Sequence, residues 1–142
     1  MMRYILSIAV LFTATVSTNS YAVENPNESR DMMRELGYGG LKGKKLQKAI
    51  AVAEAHDLGS AKNPVRENMP QGETAYLARL RCADGKRPIF DRAGSVGNSP
   101  YGYIMDKYIV TCEGQQPMDV YMDMYHDGGA NRPLPAFTIT PV

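Results

Sequence analysis

Met118-Asp-Val-Tyr-Met-Asp-Met-Tyr-His126 has the cleanest period of two in the chain. Met118, Val120, Met122 and Met124 alternate with Asp119, Tyr121, Asp123 and Tyr125. A β-strand turns successive side chains to opposite faces, so this stretch predicts one buried apolar face and one wet face. Antiparallel sheets covered on one side behave this way. Working outward, Tyr103 to Cys112 reads as a longer strand with Tyr108, Val110 and Cys112 on one face. Arg87 to Arg92 reads as a short strand, Pro88 marking its start. Thr74 to Cys82 reads as a first strand, Tyr76, Ala78, Leu80 and Cys82 sharing a face. Ala83-Asp-Gly-Lys86 is a hairpin turn signal, and Ala93 to Gly102 is a Gly/Ser/Pro-rich loop. Ala136 to Thr140 adds a last short strand among prolines.

Upstream the periodicity changes. Asn25-Pro26 resembles an N-cap followed by proline at the first helical position, opening a short helix over Asn27 to Leu36. Leu41 to Leu58 carries Leu46, Ala49, Ile50 and Ala53 at spacings of three and four, with Gly59 as its C-cap. Lys42, Lys44, Lys45 and Lys48 crowd the start of that helix, while Glu54 and Asp57 lie at its end. This order opposes the helix dipole, so packing must hold the helix. Ser60 to Glu73, with Pro64, Pro70 and Gly72, reads as a linker. The expected architecture is α+β: two N-terminal helices packed on a largely antiparallel sheet of four to five short strands, with one disulfide. Residues 23–59 form the helical segment, 60–73 the linker and 74–142 the β-rich part of a single domain.

Residues 1–22 read as a secretory signal peptide. Arg3 supplies the positive start, Ile5 to Val16 the apolar run, and Ser20-Tyr21-Ala22 the small residues of a cleavage site. The run falls short of the roughly 20 residues a bilayer requires. Cleavage removes one of the 16 basic residues and none of the 15 acidic ones, so the expected mature chain is formally neutral. Neutrality argues against a nucleic-acid binder and against a polybasic membrane anchor. The mature protein is expected to be soluble, without a transmembrane segment, and periplasmic or secreted. Export places Cys82 and Cys112, the only cysteines, where they form a structural disulfide. In a plain meander these two strand ends lie about 9.6 Å apart, whereas a disulfide needs Cα atoms within about 4.4 to 6.8 Å. The bridge therefore excludes a simple meander at that end: either the strands are parallel neighbours or the sheet curls.

Two groups of residues are candidates for ligand contact. Asp119, Tyr121, Asp123 and Tyr125 place carboxylates beside aromatic rings on the predicted wet face, which suits sugars or cationic peptides. Asp91, Arg92, Tyr101 and Tyr103 flank the Ala93–Gly102 loop, and exposed loops on a rigid sheet carry function. Arg79 and Arg81 share the outer face of the first strand, where Asp119 or Asp123 are their expected partners. Met118, Met122, Met124 and His126 raise copper binding, but alternation explains the methionines as core. With His56 and His126 as the only histidines, no multi-histidine zinc site is expected, and no cofactor or metal site is assigned. Ser95 or Ser99 with His126 and Asp127 would be needed for a hydrolase, and no Gly-x-Ser-x-Gly elbow exists.

Leu58-Gly-Ser60, Asn63-Pro-Val-Arg66, Asn68-Met-Pro70, Ala75-Tyr-Leu77, Arg79-Leu-Arg-Cys-Ala-Asp-Gly85 and Pro100-Tyr-Gly102 together resemble small exported proteins of Gram-negative bacteria that carry no assigned activity. The resemblance spans Leu58 to His126. It implies an envelope location and brings no substrate, cofactor or catalytic residue. The functional expectation is an exported, non-catalytic binding or accessory protein engaging an envelope component, a glycan or another protein. The alternatives are a small periplasmic hydrolase using Asp and His groups near the 93–102 loop, and copper binding through Met and His.

Overall fold

The computed structural model describes residues 25–126, 128 and 131–142. The signal-peptide reading of residues 1–22 lies outside them, as does Asp127. The elements run α1 (Pro26–Glu35), α2 (Gly43–Ala53), β1 (Val65–Arg66), α3 (Met69–Arg79), β2 (Leu80–Arg81), β3 (Ile89–Asn98), β4 (Ile104–Thr111), β5 (Met118–Asp123) and β6 (Thr138–Ile139). The four-stranded sheet has the order β1-β5-β4-β3. Its β3–β4 and β4–β5 pairs are antiparallel, while β1 lies parallel to β5. β2 and β6 form a separate antiparallel pair. No helix among the described residues is long and apolar enough to cross a membrane.

α1 starts as its sequence signals require. The Asn25 side chain accepts from the Asn27 N–H at 3.0 Å, and Pro26 takes the first helical position. α2 is shorter than its apolar periodicity suggests. It stops at Ala53, and the chain tightens through a turn in which the N–H of His56 reaches the carbonyl of Ala53 at 2.9 Å. His56 is therefore exposed beyond the helix, and its carbonyl accepts from the Asn63 side chain at 2.9 Å. Gly59 is not a helix cap. Its carbonyl accepts from the Tyr121 N–H at 2.8 Å, which fastens this loop to β5. Gly59 has φ +86°, a conformation that favours glycine, and a Cβ there would also press on Leu134 Cδ2 at 2.6 Å.

The largest correction is at 69–79. The segment expected to be a linker and then a first strand contains β1 and a third helix, so the helices are not confined to the N-terminus. The buried residues Glu73, Tyr76, Leu77 and Leu80 follow helical spacing from α3 onto its C-cap. A glutamate in that series hid the period, and the remaining residues imitated strand alternation. Arg79 and Arg81 consequently leave the sheet face. Arg79 donates to Asn131 Oδ1 at 3.2 Å, and Arg81 donates to the carbonyls of Ala78 and Leu80.

The core joins α3 to the inner face of the sheet through Val65, Tyr76, Leu77, Leu80, Tyr108, Val110, Val120, Met122 and Leu134. Cys82 and Cys112 are bonded, with Cα atoms 5.9 Å apart. Neither geometry expected from the strand order applies. Cys82 follows β2, in the small sheet, and Cys112 follows β4, in the large one. The bridge thus ties two sheets together instead of two strands of one. The 93–102 loop is also mostly strand. β3 continues to Asn98 across two register shifts, with Gly94 and Gly97 at positive φ.

Candidate functional site

A second, smaller cluster lies away from the main core. Met33 of α1 packs with Tyr103 and Tyr125, and Tyr38, Ile104 and Met124 border it. The ring centroids of Tyr103 and Tyr125 are 4.8 Å apart. The ring of His126 meets Tyr103 and Tyr101 edge-on, at centroid distances of 5.3 and 5.6 Å. Backbone bonds hold these residues in place. The N–H groups of Glu67 and Met69 reach the carbonyls of Asp123 and Met124, and the Leu41 N–H reaches the Tyr101 carbonyl at 2.7 Å. A tight turn at 99–103 closes with Ser99 donating its N–H to the Tyr103 carbonyl, and the Ser99 Oγ accepts from the Tyr101 N–H.

Asp123 organises the floor. It is fully buried, and its Oδ1 accepts from the Tyr125 N–H and faces His126 Nδ1, both at 3.0 Å. No partner reaches its Oδ2 among the described residues. His126 Nε2 faces the Leu41 carbonyl at 3.4 Å. This is an oriented Asp–His pair, but backbone occupies the far side of its imidazole. No serine is among the partners of His126 in the described residues. Ser95 is engaged by Arg92 and Asp106, and Ser99 caps its own turn.

Above this floor opens a cleft of about 420 Å³ between α1, the start of α2 and the end of β5. Tyr103, Tyr125 and His126 contribute edges to it, and Arg30, Arg34 and Lys42 stand around it. Arg30 ties α1 to the cleft by donating to the Tyr125 carbonyl at 3.0 Å and to Asn68 Oδ1. Arg34 pairs with Asp31 one turn earlier. Lys42 has no ion-pair partner among the described residues. Gly43, the first residue of α2, also lines the cleft, and no side chain caps that helix end. The first N–H groups of a helix have no intrahelical acceptor and carry partial positive charge. The cleft therefore carries three cations and one carboxylate, Asp31, over an aromatic floor.

Four of the eight candidate residues converge here: Tyr101, Tyr103, Asp123 and Tyr125. The wet-face expectation fails for Asp123 and Tyr125, because β1 and the 37–41 segment cover the end of β5. Tyr101 is also buried, its hydroxyl on Asn63 Oδ1 at 3.2 Å and the Arg66 guanidinium 5.6 Å from its ring centroid. Burial pushes its phenol above the ordinary range, against the opposing pull of Arg66. The other four lie apart. Asp119 pairs with Lys107 at 3.0 Å on the exposed sheet face, and Tyr121 is half-buried beside it. Asp91 is exposed on β3. Arg92 clamps Asp106, donating from Nε at 2.6 Å and from Nη2 at 2.7 Å. The methionines divide between clusters, Met118 and Met122 in the main core and Met124 at the aromatic one. Among the described residues no group of three or more His, Cys, Asp or Glu is placed to hold a metal ion.

Sequence reading missed Arg30, Arg34 and Lys42 as cleft residues. The available signal was the lysine-rich, acid-free start of α2, which conflicts with its own dipole. It also missed Glu73, whose fully buried carboxyl is pushed up to about 8, first by burial and then by the Asp106 charge. No protein-family model matches the chain, and neither a curated protein nor a solved structure matches it.

Proposed function

We propose that this is an exported, non-catalytic binding protein of the bacterial envelope, and that the cleft between α1, α2 and β5 takes an anionic group attached to a ring. Lys42 carries the reading: a cation with no ion-pair partner among the described residues, beside a helix start with no side-chain cap, above aromatic edges. Carboxylate or phosphate suits the cations and the free N–H groups, and a sugar ring suits the tyrosine edges. The bonded cysteines favour an oxidising compartment, in keeping with the leader-like N-terminal sequence. The test is an NMR titration with inorganic phosphate, glucuronate and glucose. Glucuronate is expected to perturb amides at 27–46 and 125–126 more than phosphate does, and glucose least. Lys42→Glu is expected to weaken glucuronate binding about tenfold. Unmoved amides with all three probes would refute this reading.

The oriented Asp123–His126 pair favours a second reading, a hydrolase with His126 Nε2 as its base. The Leu41 carbonyl sits at that nitrogen, so turnover would require the 37–41 segment to move. Ester and phosphate-ester turnover that disappears in His126→Gln would support this reading over the first.

A further inference from the structure

We propose that a second groove, on the other flank of α2, docks an acidic segment of a partner protein built around an apolar side chain. The groove is a shallow, open depression of about 660 Å³ between α2 and the chain at 61–62 and 98–100. Ala49, Val52, Ala61 and Pro100 give it an apolar floor. Val52 is 64% exposed there, a large aliphatic side chain left in water on a helix.

Lys45, Lys48 and Lys62 rim this floor, all exposed. None has an ion-pair partner among the described residues. The contrast is internal to the molecule. Lys86 pairs with Glu113 and Lys107 with Asp119, and Glu54, at the end of α2, is taken by Arg132 at 2.6 Å. The whole chain has nearly as many acids as bases, so the deficit of carboxylates is local to α2.

α2 is also weakly tied to the fold. Ala53 is its only buried residue, and its first turn has no acidic residue and no side-chain cap. Lys44 and Lys45 therefore face the positive end of their own helix dipole, an unfavourable placement. Carboxylates from a partner would pair the lysines and oppose that field, and one apolar side chain would cover Val52. One exposed valine ringed by three lysines matches a short acidic segment that carries one apolar side chain, and binding of an anionic bilayer is the alternative that vesicles test.

This inference is independent of the cleft proposed above. It is tested by titrating the ¹⁵N-labelled protein with two leucine-centred helical peptides that differ only in carrying Glu or Gln, and separately with phosphatidylglycerol vesicles. The Glu peptide is expected to perturb amides across 45–62 and at Asn98, with affinity falling about tenfold from low to high salt. Lys45→Glu combined with Lys48→Glu is expected to weaken it about tenfold or more. Val52→Ser is expected to weaken it with an unchanged circular dichroism spectrum, and Lys86→Gln, outside the groove, to leave it unchanged. Silence with the Glu peptide at millimolar concentration, equal binding of the Gln peptide, or binding of vesicles in place of the Glu peptide would each overturn the proposal.

Discussion

The Tyr108 hydroxyl donates to Oε2 of Glu73 at 2.9 Å, joining α3 to β4 inside the core. Glu73 Oε1 has no partner among the described residues, and Asp106 adds repulsion to the cost of burial. The carboxyl therefore keeps its proton up to about pH 8 in the folded state, against an ordinary value of 4.5. Between those values the unfolded chain releases a proton that the folded chain retains. The stabilisation is complete below about pH 4.5, declines as pH rises toward 8, and changes little beyond. The slope reaches at most about 1.4 kcal/mol per pH unit. Urea denaturation from pH 5 to 8.5 should show this decline, and Glu73→Gln should flatten it and be the more stable protein at pH 8. Parallel wild-type and variant curves would refute the assignment.

Asp106 is buried and keeps its charge partner at the surface, where Arg92 grips it with two nitrogens and Ser95 Oγ donates at 2.8 Å. Removing one member of such a pair strands the other. Arg92→Ala is expected to destabilise the protein by about 1–3 kcal/mol, whereas Asp91→Ala next to it should cost under about 0.5 kcal/mol. Chemical denaturation of the two variants side by side is the check. Equal effects would mean that Asp106 does not depend on Arg92.

Asp119 and Asp123 look alike in sequence and should behave differently. Asp123→Ala leaves the buried Tyr125 N–H and His126 Nδ1 without their acceptor, at a cost of about 1–3 kcal/mol. Asp119→Ala removes only an accessible pair with Lys107, which water screens, and should change stability little. Thermal melts should separate the two variants by several degrees, and coincident melts would contradict the placement of Asp123.

Gly102 sits at φ +96°, and an added Cβ would lie 2.5 Å from the Gly39 carbonyl oxygen. Gly102→Ala is expected to pry the 37–41 segment from the 99–103 turn, lowering stability by well over about 1 kcal/mol and shifting the Tyr103 ring resonances. Gly97 also has positive φ but faces open space, so Gly97→Ala should cost only the left-handed backbone penalty of about 1–2 kcal/mol. A Gly102→Ala spectrum unchanged at Tyr103 would show that the turn tolerates the side chain.

The disulfide closes a loop across 30 positions and links the two sheets. The chain-entropy account gives it about 3.7 kcal/mol. Replacing both cysteines by alanine should therefore lower the unfolding free energy by about 3–4 kcal/mol in urea. A change under about 1 kcal/mol would show that the small sheet stays docked without the bridge.

Local chemistry determined much of this protein from sequence alone. Asn25-Pro26 start α1, the inward set of Val120 and Met122 matches its alternation, and the only two cysteines are bonded. Each of these rests on neighbours in the chain or on a pairing without alternatives. Tertiary structure decided the rest. Whether residues 74–79 are helix or strand depended on Glu73 being buried, and its burial depends on Tyr108, 35 residues away. Whether Asp123 and Tyr125 face water depended on β1 and the 37–41 segment, which lie more than 50 residues upstream. A two-residue strand such as β1 has too few side chains to announce itself by periodicity, and a buried carboxyl reverses the rule that charge marks the surface. Long-range contacts therefore set both the third helix and the floor of the cleft.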